Sequence, residues 1–198
     1  PFLDLADRAT RLESVAREFE LNHEISPDVY LGTSDIVEDG TVVDRMLVMR
    51  RLPAERRLSA LVDNPSFEMC LRGVARVVAA LHARREPVHD APMARRDALM
   101  RNWQENFDAI GDHVDDVIPS EDHDRAETLV RAYLHRRDVL LDGRLADGFV
   151  RDVHGDLTAE DIFCLDDGPR IIDCLAFNDR WRIVDVLSDI GFLIMDCL

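Results

Sequence analysis

Three acidic residues fall within one short stretch, Val153-His154-Gly155-Asp156-Leu157-Thr158-Ala159-Glu160-Asp161, and Asp173 follows it twelve residues later. Between them, Ile162-Phe163-Cys164-Leu165 and Arg170-Ile171-Ile172-Asp173 predict two short strands, because both are apolar runs and Asp166-Asp167-Gly168 predicts a turn. A hairpin of that length returns its second strand to the loop. We therefore expect the carboxylates of Asp156, Asp161 and Asp173 to converge.

Converging carboxylates predict a bound cation. Two like charges about 5 Å apart repel by about 3 kcal/mol at an effective dielectric constant of about 20. Such a cluster needs a cation, or a proton on one of its members, to be stable. Mg²⁺ held by one or two carboxylates and by substrate phosphates meets that need.

The rest of the sequence predicts mixed helix and strand. Apolar residues recur at helical spacing over residues 8–23, and Pro27 closes that segment. Asp39-Gly40 predicts a hairpin turn between a strand near Val29 to Val37 and a second strand from Val42 to Met49. Further helices are predicted over 66–85, 94–109 and 120–143 and from about Ile183, with a short strand at 149–151.

This order of elements predicts an α+β chain in two parts. Residues 1–52 form a small part with one helix and one hairpin, and residues 53–198 form a larger, mostly helical part. Arg50-Arg51-Leu52-Pro53 breaks the strand pattern between them, so a hinge and a cleft are expected there. Because Pro1 is not a methionine and Cys197-Leu198 falls inside a helical pattern, we expect the native protein to extend at both ends.

Composition excludes several classes of function. Forty acidic residues against 24 basic ones give a formal charge of −16, which repels a phosphate backbone and argues against nucleic-acid binding. No apolar run approaches the roughly 18 residues of a membrane helix, and no signal peptide is recognisable, so a cytoplasmic protein is predicted. All 24 basic residues are arginine, so no lysine is available to hold a nucleotide phosphate. The four cysteines form no CxxC pair and are expected to be reduced thiols.

The His154-Gly155-Asp156-Leu157 motif, with Asp161 behind it and Asp173 further on, resembles the aminoglycoside phosphotransferase family of kinase-like enzymes, whose loop reads HGDLxxxN. The similarity extends to an actinobacterial branch in which such a domain is often fused to a C-terminal P-loop domain. Other segments that carry the resemblance are Pro27-Asp28-Val29-Tyr30-Leu31-Gly32, Met49-Arg50-Arg51-Leu52-Pro53, Leu81-His82-Ala83, Phe177-Asn178-Asp179-Arg180 and Asp185-Val186-Leu187-Ser188-Asp189.

The resemblance implies a two-lobed protein-kinase-like fold and a role for each site residue. Asp156 would be the catalytic base, and His154 would orient the loop through backbone hydrogen bonds, with direct catalysis by His154 as the alternative. Asp173 and Asp161 would hold Mg²⁺, with Asp161 standing where the family has Asn. Glu18 would be the helix glutamate that pairs with a nucleotide-binding lysine. The cofactor-binding hinge that holds the adenine of ATP, or the guanine of GTP, would consist of Met49, Arg50, Arg51 and Leu52.

The resemblance implies a Mg²⁺-dependent phosphotransferase that moves the γ-phosphoryl of ATP or GTP to a hydroxyl of a small molecule. Two alternatives remain open: a catalytically inactive kinase-like module that binds nucleotide or a partner domain, and a metal-dependent phosphohydrolase that uses water. The acceptor stays open among aminoglycosides, sugars and other hydroxylated metabolites, and the acidic charge favours a cationic one. Because the chain has no lysine, we expect it to be inactive on its own.

Overall fold

The computed structural model of the protein describes residues 4–197. Pro1, Phe2, Leu3 and Leu198 lie outside the described residues, so the predicted parts 1–52 and 53–198 are described from Asp4 and to Cys197. The observed elements are helices and three two-stranded antiparallel sheets, which confirms the α+β prediction. The boundary between the two predicted parts stays a prediction.

The N-terminal part consists of one helix and one hairpin. Helix α1 (Arg8–Ile25) begins at Asp7, whose side chain accepts a hydrogen bond of 2.9 Å from the backbone N–H of Thr10. Strands β1 (Tyr30–Glu38) and β2 (Thr41–Met49) pair in antiparallel register. Asp39 and Gly40, with φ of 48° and 76°, form the turn. Two successive positive φ angles match the twist of the flanking strands, so the Asp-Gly prediction is confirmed.

The remaining elements follow in chain order. They are α2 (Phe67–Arg84), α3 (Arg96–Gly111), α4 (Ser120–Leu134), α5 (Asp138–Ala146), β3 (Val150–Asp152), β4 (Ile162–Leu165), β5 (Gly168–Ile171), α6 (Asp179–Arg182), β6 (Ile183–Asp185) and α7 (Leu187–Asp196). Short 3₁₀ turns occupy Ala54–Arg56, Ser59–Leu61, Pro92–Ala94 and Ala159–Asp161. Within residues 4–197, no helix combines the length and the apolarity that crossing a membrane requires.

The single helix predicted over 120–143 is wrong. The structure has two helices there, α4 and α5, with Arg136 between them at a φ of 57°. An L-residue in the left-handed region cannot continue a right-handed helix, so the chain changes direction at this point. Apolar spacing alone did not indicate the break, because the pattern resumes at once on the far side.

The prediction that the last helix starts near Ile183 is also wrong. Ile183–Asp185 is strand β6, which pairs antiparallel with β3, and the last helix, α7, begins at Leu187. A short apolar run such as Ile183-Val184 is compatible with either a strand or a helix. Its pairing with β3, in which Ile183 lies opposite Asp152, 31 residues earlier, decides for a strand.

The main core packs the β4–β5 hairpin and the acidic loop against α2. Its buried side chains come from the turn after β2, from α2, from the loop, from both hairpin strands and from α7: Leu58, Leu61, Val74, Val78, Leu157, Ala159, Ile162, Cys164, Ile171 and Leu193. Loop residues Leu157 and Ala159 thus belong to the core. The loop is therefore anchored in the core by two of its own side chains.

Arg182 is a buried charge with a full set of partners. It is 1% exposed and pairs with Asp152 and with Asp179, the latter at 2.6 Å. It also donates to the carbonyl of Leu175 at 2.9 Å. These contacts tie α6 to β3 and to the chain that leads away from Asp173, since a buried guanidinium is stable only when it is paired.

We predict that Arg182→Gln lowers the free energy of unfolding by about 1–3 kcal/mol, because the Leu175 carbonyl and the partly buried Asp152 carboxylate lose their donor. Chemical denaturation measures the effect. Arg125→Gln is the matched control, since Arg125 is an exposed helical arginine, and it should stay within about 0.5 kcal/mol of the parent. A loss for Arg182→Gln no larger than for the control would contradict the role assigned to this pair.

Candidate functional site

The acidic loop is anchored by the apolar side chains that alternate with its polar ones. Val153 and Leu157 are 2% and 1% exposed, and His154 is fully buried. Asp156, between them, is exposed. The buried side chains of the loop therefore fix its backbone, and the Asp156 carboxylate points outward.

Glycine is required at position 155. Its φ is 88°, a left-handed conformation that other residues rarely adopt. A Cβ atom there would also lie 3.2 Å from the carbonyl oxygen of Trp181 and 3.3 Å from Cβ of Leu175. The turn that aims Asp156 therefore depends on the absence of a side chain at Gly155.

Asp189 holds this turn from below. Its buried carboxylate accepts hydrogen bonds from the backbone N–H of His154 at 3.0 Å and of Gly155 at 2.9 Å. His82 Nε2 lies 2.8 Å from the same carboxylate. Sequence reasoning missed this role, since Asp189 and His82 enter it only as parts of two segments that carry the resemblance. No spacing signal could have revealed a contact across 35 residues.

His154 makes backbone contacts on both sides. Its Nε2 donates to the carbonyl oxygen of Ile172 at 2.8 Å, and its own carbonyl oxygen accepts from the N–H of Leu175 at 3.1 Å. Its Nδ1 is buried and has no hydrogen-bond partner among the described residues. These bonds join the loop to the segment on either side of Asp173, which is what the predicted orienting role requires.

Asp173 lies just beyond the hairpin rather than in it. The strand predicted over 170–173 is placed two residues too late, because β5 spans Gly168–Ile171. Asp173 has a φ of 64°, and its N–H donates to the hydroxyl of Tyr30 at 2.9 Å instead of to a strand neighbour. Aspartate tolerates the left-handed region better than most residues do. Tyr30, which is 2% exposed, thus connects β1 to the acidic site.

The end of α1 is fastened to the same place. Asn22 accepts from the N–H of Cys174 at 2.8 Å, and the Ser26 hydroxyl donates to the carbonyl of Ile171 at 2.7 Å. Both residues are buried. As a result, the side chains of α1 that face this way have a fixed position relative to Asp173.

Glu18, Asp156 and Asp173 line one cavity of about 190 Å³. Ser14 and residues 174–177 complete the lining. Glu18 is partly buried, whereas Glu13 and Glu20 on the same helix are exposed. Burial raises the pKa of the Glu18 carboxyl, and the negative charge of Asp173 raises it further. Three carboxylates from three separate segments therefore share one space without a paired cation in the described part of the chain.

Asp161 sits behind these carboxylates and interacts with them. Its side chain accepts from the Thr158 hydroxyl at 2.6 Å, and it is half-buried. Burial is the main cause that raises the pKa of Asp161, while the Thr158 hydrogen bond opposes it and the charges of Asp173 and Asp156 add to it. Asp156 and Asp173 share the cavity and Asp161 does not line it, so the convergence of all three aspartates stays a prediction.

The donors fit Mg²⁺ only with help from a ligand. Among residues 4–197, no cluster of three or more His, Cys, Asp or Glu side chains is arranged to hold a metal ion. Asp161 and Asp173 would supply two carboxylates, and Mg²⁺ in proteins commonly uses one or two carboxylates together with substrate phosphates and water. This donor set suits a metal that arrives with a phosphorylated substrate.

The predicted hinge residues lie elsewhere. None of Met49, Arg50, Arg51 and Leu52 lines the carboxylate cavity. The backbone N–H of Arg50 donates to the carbonyl of Val29 at 2.8 Å, and its guanidinium pairs with Asp28 at 3.0 Å. Their role in holding a nucleotide base stays a prediction.

Comparisons with known proteins give relatives but no function. No family model matches the chain, and no solved structure matches it. The chain is 34% identical over 199 aligned residues to uncharacterized proteins of Mycobacterium bovis and of two strains of Mycobacterium tuberculosis, H37Rv and CDC 1551. The alignment covers 98% of this chain and 40% of each relative, so the chain spans about 40% of the length of the curated relatives it matches.

We predict that Asp161→Asn stabilises the metal-free protein at neutral pH but not at acid pH. Because folding raises the pKa of Asp161, its contribution to stability is fully present below the ordinary pKa and is lost as pH rises through the raised value. The neutral amide avoids that loss. Denaturation without divalent cations should show a gain that is small near about pH 4 and larger near about pH 7.

Asp63→Asn is the control for this measurement, because Asp63 is an exposed carboxylate outside the site. Its difference from the parent should not grow with pH in the same way. A pH-independent effect of Asp161→Asn would mean that the buried charge of Asp161 is not the source of the strain.

Proposed function

We propose that this chain carries the catalytic and metal-binding part of a kinase-like phosphotransferase. The reaction transfers the γ-phosphoryl group of ATP or GTP to a hydroxyl of a small molecule, with Mg²⁺. The single observation that carries the proposal is the cavity shared by Glu18, Asp156 and Asp173. An acidic cavity of this kind favours a cation and the phosphates that accompany it.

Asp156 is the residue proposed to act on the acceptor. It is exposed at the cavity, and its backbone follows the Gly155 turn that Asp189 holds. Its carboxylate would orient the acceptor hydroxyl and accept its proton as the new O–P bond forms and the bond from the γ-phosphorus to the β–γ bridging oxygen breaks. ADP or GDP leaves with that oxygen, so the products are the nucleoside diphosphate and a phosphate ester.

Asp173 and Asp161 are the proposed metal ligands. Mg²⁺, when bound, neutralises charge on the nucleotide phosphates. A bound cation would also remove the repulsion between the two carboxylates, and this relief would favour metal binding. The bond from the Asp173 N–H to Tyr30 holds the ligand in its left-handed conformation before any metal binds.

His154 and Asp189 are proposed as positioning residues. His154 links the loop to the carbonyl of Ile172, and Asp189 fixes the two peptide groups that precede Asp156. Neither lines the cavity. Catalysis of phosphoryl transfer depends mostly on positioning and on charge stabilisation, so residues that fix the loop contribute to the proposed reaction without touching the substrate.

A kinase-like binding module without turnover is the second candidate, and one observation favours it. Glu18 faces the cavity, yet no cation pairs with its carboxylate anywhere in residues 4–197, and the sequence has no lysine. Arginine is bulkier and forked, so it does not replace a nucleotide-binding lysine conservatively. The two candidates differ in turnover, not in Mg²⁺-nucleotide binding.

Binding of Mg²⁺-nucleotide tests the metal site. Asp161→Asn should retain the affinity of the parent, because the amide oxygen replaces a carboxylate oxygen as ligand. Asp161→Ala should weaken binding by about tenfold or more, in the range seen when groups that support a metal site are removed. Isothermal titration calorimetry with ATP and with GTP, each with and without Mg²⁺, measures both variants.

The exposed Asp63 again supplies the control, as Asp63→Ala. It should bind Mg²⁺-nucleotide like the parent. Equal affinities for Asp161→Ala and the parent would remove Asp161 from the metal site.

We also predict that this chain alone turns over near the background rate. Loss of one preorganised electrostatic contact costs about 3–4 kcal/mol, or about 10²–10³ in rate, and the cationic clamp opposite Glu18 is such a contact. ADP and phosphate should be measured with aminoglycosides and sugars as acceptors. Acceptor-dependent ADP formation at an enzymatic rate would contradict the argument from the missing lysine. Phosphate release without an acceptor would favour the hydrolase instead.

A further inference from the structure

A second cavity lies beside the segment that follows Asp173. It has a volume of about 280 Å³ and is lined by Pro92, Met93, Ala98, Arg101 and Arg180. Three lining residues are apolar, two are arginines and none is acidic. This volume is at the lower end of the range for small-molecule sites, which are mostly apolar with a few polar groups that fix orientation.

Arg101 is available to a ligand. It is exposed on α3, and within residues 4–197 its guanidinium has neither a hydrogen bond nor an ion pair. Most arginines near it are paired, as Arg96 is with Asp97 at 2.7 Å. A guanidinium on an apolar wall offers a forked set of donors that matches carboxylate or phosphate oxygens.

Arg180 is oriented by the protein and still has donors to spare. Its Nε donates to Asn102 at 3.0 Å, and its Nη2 contacts Asn102 and also Glu105, the latter at 3.0 Å. Its Nη1 makes no hydrogen bond in the described part of the chain. Among these residues one carboxylate, that of Glu105, stands against two guanidinium groups.

The two cavities are neighbours along the chain. Phe177 lines the carboxylate cavity and Arg180 lines the second one. Three consecutive Cα–Cα steps of 3.8 Å keep these two residues within about 11 Å of each other. The linings of the two cavities therefore come close to each other on the segment that follows Asp173.

We infer that the cavity of Arg101 and Arg180 binds the anionic group of the acceptor, so that the acceptor is a small hydroxylated organic anion, a carboxylate or a phosphate ester, with a short apolar portion against Pro92, Met93 and Ala98. That the acceptor carries a hydroxyl rests on the proposed phosphotransferase function. That it carries an anionic group rests on the second cavity alone. The inference reverses the expectation of a cationic acceptor drawn from the net charge.

Four probes that share one aromatic body test the charge preference. Phenylacetate and phenyl phosphate are the anions, benzyl alcohol is neutral and benzylamine is a cation. Calorimetry with the 198-residue chain, without Mg²⁺ or nucleotide, should show binding of at least one anion, about tenfold weaker binding of the alcohol and no binding of the amine. The two anions distinguish a carboxylate site from a phosphate site. Equal affinity for benzylamine, or no anion binding at all, would overturn the inference.

Arg101→Gln should weaken binding of the anion by about tenfold, because it removes a charge-assisted contact. Since Arg101 has no partner in the described structure, this variant should fold normally. Arg76→Gln, which changes another exposed helical arginine, is the matched control and should bind the anion like the parent. Unchanged anion affinity in Arg101→Gln would contradict the assignment of this cavity as the anion site.

A titration with Mg²⁺-ATP separates this inference from the proposed function. Arg101→Gln should leave that affinity unchanged; an equal loss for nucleotide and anion would mean that the cavity serves the nucleotide phosphates, and the acceptor assignment would be wrong. Anion binding in a chain that binds no Mg²⁺-nucleotide would support the cavity and remove the phosphotransferase proposal. Nucleotide binding without anion binding would support the phosphotransferase proposal and overturn the assignment of the second cavity.

Discussion

The acidic site depends on the hydrogen bonds that the buried carboxylate of Asp189 accepts. Asp189 is 1% exposed, and its oxygens accept from two consecutive backbone N–H groups, those of His154 and Gly155, with His82 as a third partner. A buried charge without such partners would cost several kcal/mol, so α7 can pack against the loop only in this arrangement. Asp196, seven residues along α7, accepts from the N–H of Ala159 at 2.7 Å and ties down the other end of the loop. The outward position of Asp156 follows from these contacts.

Because the loop is fixed from within, the other carboxylates must be brought to it, and they come from distant parts of the chain. Tyr30, Asn22 and Ser26 each bond to the backbone between Ile171 and Cys174. These contacts hold Asp173 in a left-handed conformation and turn Glu18 of α1 toward it. Burial and the neighbouring carboxylates raise the pKa values of Glu18 and Asp161. Neutral hydrogen bonds elsewhere in the site keep these acidic groups close together. Repulsion of this type persists where the surrounding structure holds the groups in place, and a bound cation or a proton on one carboxyl relieves it.

Local chemistry in the sequence predicted much of this architecture. The Asp39-Gly40 turn, a helix close to residues 8–23 and the return of the β4–β5 hairpin were all predicted from neighbouring residues. Asp156 and Asp173, which were predicted to approach each other, line one cavity. What the sequence left undetermined requires partners far along the chain. The β3–β6 pairing, the Asp189 contacts and the salt bridge of Arg182 with Asp152 each join segments about 30 or more residues apart. The break at Arg136 is local, but a single left-handed residue leaves no mark on apolar periodicity.

The net charge shows why a whole-chain quantity is a poor guide to a site. A formal charge of −16 describes the average surface, and it acts on approach and solubility at distances that salt screens. Binding is decided within hydrogen-bond range, by the groups that line the cavity. Around Asp173 those groups are carboxylates, which favour a cation and its phosphates, whereas around Arg180 they are guanidinium groups on an apolar wall. One cavity is lined by carboxylates and the other by guanidinium groups, so the two favour ligand groups of opposite charge. The net charge of the chain gives no sign of that difference.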